Sequence, residues 1–423
     1  MSVFNFEKGD EDEAFELVDN KPVKKPYGQT QRRPQNQGRW GQQGQGARQD
    51  GRGPQKQRQQ GGFRQQQWKD QARERTYTSS IVIQPDWHVL GDQIALSALQ
   101  KLSSKSGEPE ELVALGSLAQ YDRAADRVGP KTPAKLLPPK VRARAASTWE
   151  DPVMQKLAAA NEGDVFMTDA ILSVIMTAPR SVHSWDIVVI KRGSQIFFDR
   201  RSGSSLEYVT NGETAPDPPQ EDRENINGVE SLNHEATSVN QAFRERVLAN
   251  STDDKSHKIG DDLPTELRSS GVPPPGYTYK RWTLGGTRVV VRCETDCYLK
   301  VGNTVQSVAV HALNEFDPKW SGIDWRTKLD TQRGAVLATE LKNNATKMAR
   351  WTAAALISGV DVIKIGYITR SSFRDTKAHQ LLGTQAVKPK DFAAQMNLNM
   401  DNAWGIARAL ISLCIDKMDK EGM

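Results

Sequence analysis

The 423-residue sequence has little of what would staple, anchor or metallate a protein. Its cysteines are three, Cys293, Cys297 and Cys414, an odd number without a CxxC pair, which argues against a disulfide framework and a zinc ribbon. The histidines, at 88, 183, 234, 257, 311 and 379, have no HExxH or other ligand spacing, and each reads as surface or structural. No GxxxxGKS/T loop is present, so a P-loop nucleotidase is not expected, and neither a metal nor a cofactor is implied. Apolar residues make up only 37% of the chain and nowhere form the run of about 18 that a membrane span requires. The amino terminus, MSVFNFEKGDEDEAFELVD, lacks the basic and apolar regions of a secretory signal. These absences predict a reducing, cytoplasmic setting, no membrane partner, and a part of the chain too polar to fold.

Charge is present but unevenly placed. Residues 1–20 carry seven acidic groups against one basic, and residues 21–75 carry fourteen basic against three acidic. The remainder holds 42 of each sign, so the net charge of +5 comes from the tail. From 21 to 76 Gln, Gly and Arg dominate without apolar periodicity, and too little apolar surface exists to offset about 1 to 2 kcal/mol of backbone entropy per residue. Disorder is the expectation there. Tyr27, Trp40, Phe63 and Trp68 stand among the arginines, where rings can stack on unpaired bases and guanidinium groups can neutralise phosphate. A solubilising linker would have the same composition.

Ordered patterns begin at the β-branched run Thr78–Ile83 and continue with a helix over Asp92–Leu102. Residues 131–147, rich in Pro, Lys and Arg, read as an exposed connector. Thr168–Thr177 has helical spacing with Asp169 in its first turn, and Trp185–Lys191 with Gln195–Asp199 makes a hairpin around Arg192-Gly193-Ser194. Glu230–Leu248 is an amphipathic helix whose polar side carries Thr237, Asn240, Gln241 and Arg244. Arg288–Asp296, Val336–Lys342 and Asp361–Arg370 read as strands, and Asn344–Ile357 and Asn402–Met418 as helices. Strands and helices without steady βαβ alternation predict a mixed-sheet α+β domain over 77–423.

One constellation suggests chemistry. Glu294-Thr295-Asp296 and Glu340-Leu341-Lys342 each place two charges on one face of a strand, and adjacent strands would converge three carboxylates and a lysine able to hold a divalent ion against phosphate. Charges on a solvated sheet face explain the pattern equally well, and Cys293 and Cys297 read as core thiols.

Longer motifs carry a resemblance. TDAILSVIMTAPRSVHSWDIVV at 168–189, DWRTKLDTQRGAVLATELKNNATKMARWTAAALISG at 324–359 and LGTQAVKPKDFAAQMNLNMDNAWGIARALI at 382–411 resemble the D-subunit family of eukaryotic translation initiation factor 3. The resemblance covers most of 78–418. It implies a fold like that of decapping exonucleases, without enzymatic activity, and binding of the 5′ cap of messenger RNA within the initiation factor on the 40S ribosomal subunit. Matching the family's cap contacts implicates Asp169, Val182 and His183 as one group and Thr237, Asn240 and Gln241 as another. His183 departs from the family's usual tyrosine, and Gln241 from an often-seen histidine. Ala354 and Arg244 stand where a nuclease would have a glutamine and a glutamate, so Glu294, Asp296, Glu340 and Lys342 read as relics of a metal site.

Ser205 to Pro219 matches the family's RNA gate, and six acidic groups against one basic over 205–224 suggest that its carboxylates occupy the groove and repel phosphate. The chain also lacks the longer amino-terminal segment usual in the family and stops before the expected final strand and acidic tail. Three functions follow: a cap-binding subunit, a metal-dependent 5′-end nuclease using the four relic residues, and an architectural subunit without cap binding.

Overall fold

The computed structural model describes residues 79–89, 93–140, 146–248, 256–268 and 273–420. The acidic segment 1–20 and the basic segment 21–76 lie outside the described residues. In chain order the strands are β1 (Glu110–Leu115), β2 (Ser117–Gln120), β3 (Ala134–Leu136), β4 (Val165–Thr168), β5 (Val188–Arg192), β6 (Gln195–Asp199), β7 (Ser256–Lys258), β8 (Gly276–Leu284), β9 (Thr287–Thr295), β10 (Cys297–Val301), β11 (Thr304–Glu315), β12 (Val362–Arg370) and β13 (His379–Val387). The α-helices are α1 (Leu96–Leu99), α2 (Pro152–Ala159), α3 (Asp169–Met176), α4 (Val229–Leu248), α5 (Pro318–Ser321), α6 (Trp325–Lys328), α7 (Arg333–Asn343), α8 (Ala345–Ser358), α9 (Pro389–Gln395) and α10 (Met400–Lys420).

The strands form two mixed sheets, ordered β1-β8-β9-β4-β6-β5 and β3-β13-β12-β11-β10-β2-β7, so the architecture is α+β as the patterning predicts. In the first, β4 runs parallel to both β9 and β6, while β8 and β9 pair antiparallel. In the second, β11 and β12 are parallel over eight residue pairs. Helices cover both faces of each sheet. Leu172, Ile175 and Ile406 of α3 and α10 pack on one face of the first sheet, and Met154 of α2 on the other with Phe166 and Phe197. Val239, Phe243 and Val247 of α4 pack on one face of the second sheet, and Val336 of α7 with Met348 of α8 on the other. All nine residues of β12 are buried, as a strand covered on both faces requires. Its Gly366 lets the Phe243 ring approach, since a Cβ there would lie 2.7 Å from that ring.

Local chemistry sets the helix ends near the cleft. Thr168 caps α3 by accepting from the Ile171 amide at 3.3 Å, with Asp169 in the first turn where the helix dipole favours an anion. Gly359 ends α8 at φ +74, the left-handed conformation that a helix stop uses. The β5–β6 hairpin turns at Gly193, φ +61.

Several expectations are corrected. The stretch 79–83 is no strand: it is irregular and mostly exposed, because no neighbouring strand pairs with its β-branched residues. Of the helix expected over Asp92–Leu102, among the described residues only Leu96–Leu99 is α-helical, and the first strand of the hairpin starts at Val188 rather than Trp185. Inside the expected connector at 131–147, Ala134–Leu136 pairs antiparallel with β13 as an edge strand. Val336–Lys342 lies in helix α7, not in a strand. Ala335, Leu337, Ala338, Glu340, Leu341 and Lys342 are strong helix formers, and the buried positions Val336, Leu337, Glu340 and Asn343 recur at helical spacing.

Candidate functional site

The chain leaves the first sheet and enters the second at Asp296, the single residue between β9 and β10. A cleft of about 470 Å³ opens there, within the range of ligand sites. One stripe of α8 lines it, Lys347, Arg350, Trp351, Ala354, Ala355 and Ser358, at the three- and four-residue spacing that shares a helix face. Asp169, Ala170 and Ser173 of α3 line another wall, Thr237, Asn240, Gln241 and Arg244 of α4 a third, and Ala309, Val310 and His311 of β11 the floor beside Glu294 and Asp296.

The candidates therefore divide. Asp169, Thr237, Asn240 and Gln241 meet on one cleft. Val182 and His183 are half-buried and do not line it, although neighbouring Ser181 accepts from the Arg350 guanidinium at 3.3 Å. Glu340 is buried elsewhere, accepting from the Asn344 side-chain Nδ2 at 2.7 Å, and Lys342 is exposed. The expected convergence of Glu294, Asp296, Glu340 and Lys342 is thus absent, because α7 is a helix. The strand that approaches Asp296 is β11, whose Val310 amide donates to its Oδ2 at 2.8 Å, and β11 brings Ala309 and His311 instead of charged acids.

Asp296 and Asp169, two acids of the cleft, are engaged by the protein. Asp296 Oδ1 accepts from Arg244 Nε at 2.7 Å. Asp169 accepts from the Glu294 amide at 2.8 Å, the Ser358 hydroxyl at 2.7 Å and the Ala170 amide at 2.7 Å, so it ties α3 to β9 and α8. Burial raises its carboxyl above the usual range against those bonds. Burial, then neighbouring Asp296, raises Glu294 to about 7. Burial pushes His311 down to about 4, so this ring is neutral where it stacks on Trp351, planes parallel and centroids 4.4 Å apart. With Glu294 raised to about 7 and Arg200, Arg244, Lys347 and Arg350 around the walls, the cleft favours an anion over a metal cation. Among the described residues no group of three or more His, Cys, Asp or Glu could hold a metal ion.

On α4, Asn240 is committed to the fold. Its Oδ1 accepts from the Ala312 amide at 2.8 Å, and its Nδ2 donates to the carbonyls of Ala312 at 2.9 Å and Ala236 at 3.0 Å. Gln241 donates to Glu245 at 3.1 Å. Thr237 accepts from the Val209 amide at 2.8 Å, which fastens the segment Ser205 to Pro219 against the helix. That segment meets the cleft with Leu206, Tyr208, Val209 and Thr210, none of them charged. Asp217 is exposed and Glu213 is buried at the start of α8. The expected carboxylates of this segment do not line the groove.

A model of the eukaryotic translation initiation factor 3 subunit 7 family matches residues 1–422. The chain belongs to that family. It is 38% identical to the D subunit of that factor from Nasonia vitripennis, over 99% of this chain and 77% of that protein. It is 44% identical to the D subunit from Arabidopsis thaliana, over 80% of this chain and 57% of that one, and 43% identical to the D subunit from Nematostella vectensis, over 80% and 60%. The chain thus spans less than two thirds of the length of the latter two. The family is one of initiation-factor subunits rather than of enzymes. A crystal structure of Scheffersomyces stipitis Rai1 in complex with (3'-NADP)+ and calcium ion is 11% identical, with a TM-score of 0.46 over 75% of this chain and 85% of that one. Schizosaccharomyces pombe Rai1 in complex with 3'-FADP gives a TM-score of 0.40 at 11% identity, over 77% and 91%. Likenesses this distant carry no conclusion about chemistry.

Lys347, Arg350, Trp351 and His311 line the cleft without having stood out in the sequence. A signal existed for three of them: two cations and a tryptophan interrupt an otherwise small and apolar helix on one face. His311 had none, because its role depends on β11 lying beside α8.

Proposed function

We propose that this cleft receives the 5′ end of capped messenger RNA, as part of a cytoplasmic initiation factor 3 assembly acting on the 40S ribosomal subunit. The observation that supports the reading most is the meeting of two sets of polar residues, far apart in sequence, on a single cationic cleft of ligand size: Asp169 on α3, and Thr237, Asn240 and Gln241 on α4. Tyr208 offers a ring to a purine, and the arginines and Lys347 offer donors to its phosphates. Val182 and His183 belong to this reading as rim residues behind Arg350 rather than as wall contacts.

The segment Ser205 to Pro219 acts as the gate by covering the cleft with Leu206, Tyr208, Val209 and Thr210, pinned at Thr237. Other subunits of the factor are the partners that would release it, and the basic tail at 21–76 is an accessory RNA contact. The test is crosslinking of cap-labelled RNA to the wild type and to Gln241→Glu, which adds a charge to the wall at the cost of the bond to Glu245 and leaves the bonds of Thr237 and Asn240 in place, with the melting temperature of the variant measured alongside. Label on the wild type, lost in the variant and competed by free cap analogue, supports the reading. No label, even after Leu206, Tyr208 and Val209 are replaced by glycine to loosen the cover, leaves an architectural subunit. Release of nucleotide from capped or uncapped RNA with Mg²⁺ or Mn²⁺, abolished by Glu294→Gln, would point to a nuclease.

A further inference from the structure

Lys347 is 3% exposed, lies on the cleft wall, and its Nζ makes no hydrogen bond. The Nε of Arg350, one helical turn on along the same stripe, also lacks a partner, although its Nη2 donates to Ser181 at 3.3 Å. Buried charges are ordinarily paired, since desolvating an ammonium costs several kcal/mol. The acids near Lys347 do not pair with it by hydrogen bonding. Glu213 accepts from its backbone amide at 3.2 Å, and Glu340 from Asn344 at 2.7 Å, so both act on the ammonium only through space. Below it the Trp351 ring, 5.5 Å from Nζ, stabilises positive charge without using any N–H donor. Three donors are thereby left on a buried cation at the edge of a cleft.

We propose that Lys347 and Arg350 form a phosphate subsite of this cleft, Lys347 supplying the buried charge and Arg350 the planar donors. The inference rests on the cleft being a ligand site and deepens the cap reading by assigning the phosphate bridge of the cap to the α8 wall. A phosphate suits the site better than a carboxylate, because two cations on successive turns present more donors than two oxygens can accept. Burial lowers the Lys347 ammonium to about 8, opposed by Glu340 and Glu213, which leaves it mostly charged at neutral pH. The carboxylate of Glu213 already holds the amide at the start of α8, which leaves the side-chain ammonium as the vacant donor group.

The test compares full-length wild type with Lys347→Met and Arg350→Gln, titrated with inorganic pyrophosphate, 7-methylguanosine and 7-methylguanosine triphosphate and followed by tryptophan fluorescence. Methionine matches the length of lysine, so a purely structural charge and a ligand-binding one separate cleanly. The inference predicts that Lys347→Met weakens triphosphate and pyrophosphate binding about 10- to 100-fold, with nucleoside binding unchanged and melting temperature within about 2 °C. Arg350→Gln weakens the same two ligands by a smaller factor. Equal triphosphate affinity in wild type and both variants overturns the subsite while leaving cap binding intact. Pyrophosphate binding that depends on Lys347, without preference for the methylated nucleotide, keeps the subsite and removes the cap reading. Absence of pyrophosphate binding in both the wild type and the protein with Leu206, Tyr208 and Val209 replaced by glycine overturns the subsite outright.

Discussion

Arg370 and Lys347 are both cations sealed from solvent, at 0% and 3% exposure, yet their surroundings are opposite. Arg370, on the interior strand β12, bonds Glu235 at 2.5 Å, Asn227 at 2.7 Å and the Phe373 carbonyl at 2.9 Å. Glu235 of α4 also takes a contact from His379 Nε2 at 2.8 Å and a hydrogen bond from Asn314 at 3.0 Å, so one carboxylate joins α4 to β11, β12 and β13. Lys347 has no hydrogen bond to its ammonium. A paired buried charge holds the fold, whereas an unpaired one weakens it and is retained for a partner from outside.

The largest expected effect falls on the paired side. Glu235→Ala strands Arg370 without its counter-ion and should lower stability by about 3 to 5 kcal/mol, read as a shift in denaturation midpoint. Acid should act on the same residue. Burial opposes the shift, but bonds from His379 and Arg370 outweigh it and hold the Glu235 carboxyl below its ordinary 4.5. A depressed folded value means a contribution that is complete above 4.5 and lost as pH falls through the folded value. The stability of Glu235→Gln should therefore decline less steeply than that of wild type below pH 4.5, and parallel declines would show the network to be unimportant.

Asn240→Ala comes next. It leaves the Ala312 amide and carbonyl without their side-chain partner and should lower stability by about 1 to 3 kcal/mol, even though the residue lies in the cleft. A variant at Asn240 that loses RNA binding without losing stability would contradict this assignment.

Glu294→Gln should act in the other direction and more weakly. Its folded carboxyl is raised to about 7 from 4.5, so the folded protein keeps a proton that the unfolded chain has released between those values. Stability is then lost as pH rises across that window. The variant should equal wild type near pH 4 and exceed it at pH 8 by roughly 1 kcal/mol, allowing for solvent in the cleft. Lys347→Met has the smallest expected effect on stability, near zero or slightly positive, against the loss from Glu235→Ala.

Much of this was legible in the residues. The hairpin at Gly193, the amphipathic face of α4 and the carboxy-terminal helix were predicted by turn chemistry and period, which act within a few residues of the chain. The motifs at 168–189, 324–359 and 382–411 pointed to the family that the comparisons then established. A local rule failed where two local signals competed. Val336–Lys342 has apolar residues that fit a strand, but helix propensity and a 3.6-residue burial face prevailed, and the convergence of Glu340 and Lys342 on Glu294 and Asp296, which needed that strand, went with it. The stretch 79–83 failed for the complementary reason: β-branched residues make a strand only where another strand offers a ladder.

The sequence alone therefore determined which side chains were available, their helical and strand faces, and the family. Only the tertiary structure decided which of those faces meet. It set β11, not α7, beside Asp296, turned Asn240 inward to the Ala312 backbone, and brought uncharged residues of the 205–219 segment to the lining of the cleft. It also left Lys347 buried beside that cleft with its donors unused. Local periodicity specifies a residue's direction on its own element, but pairing of charges and donors depends on neighbours far along the chain, and those are set by packing.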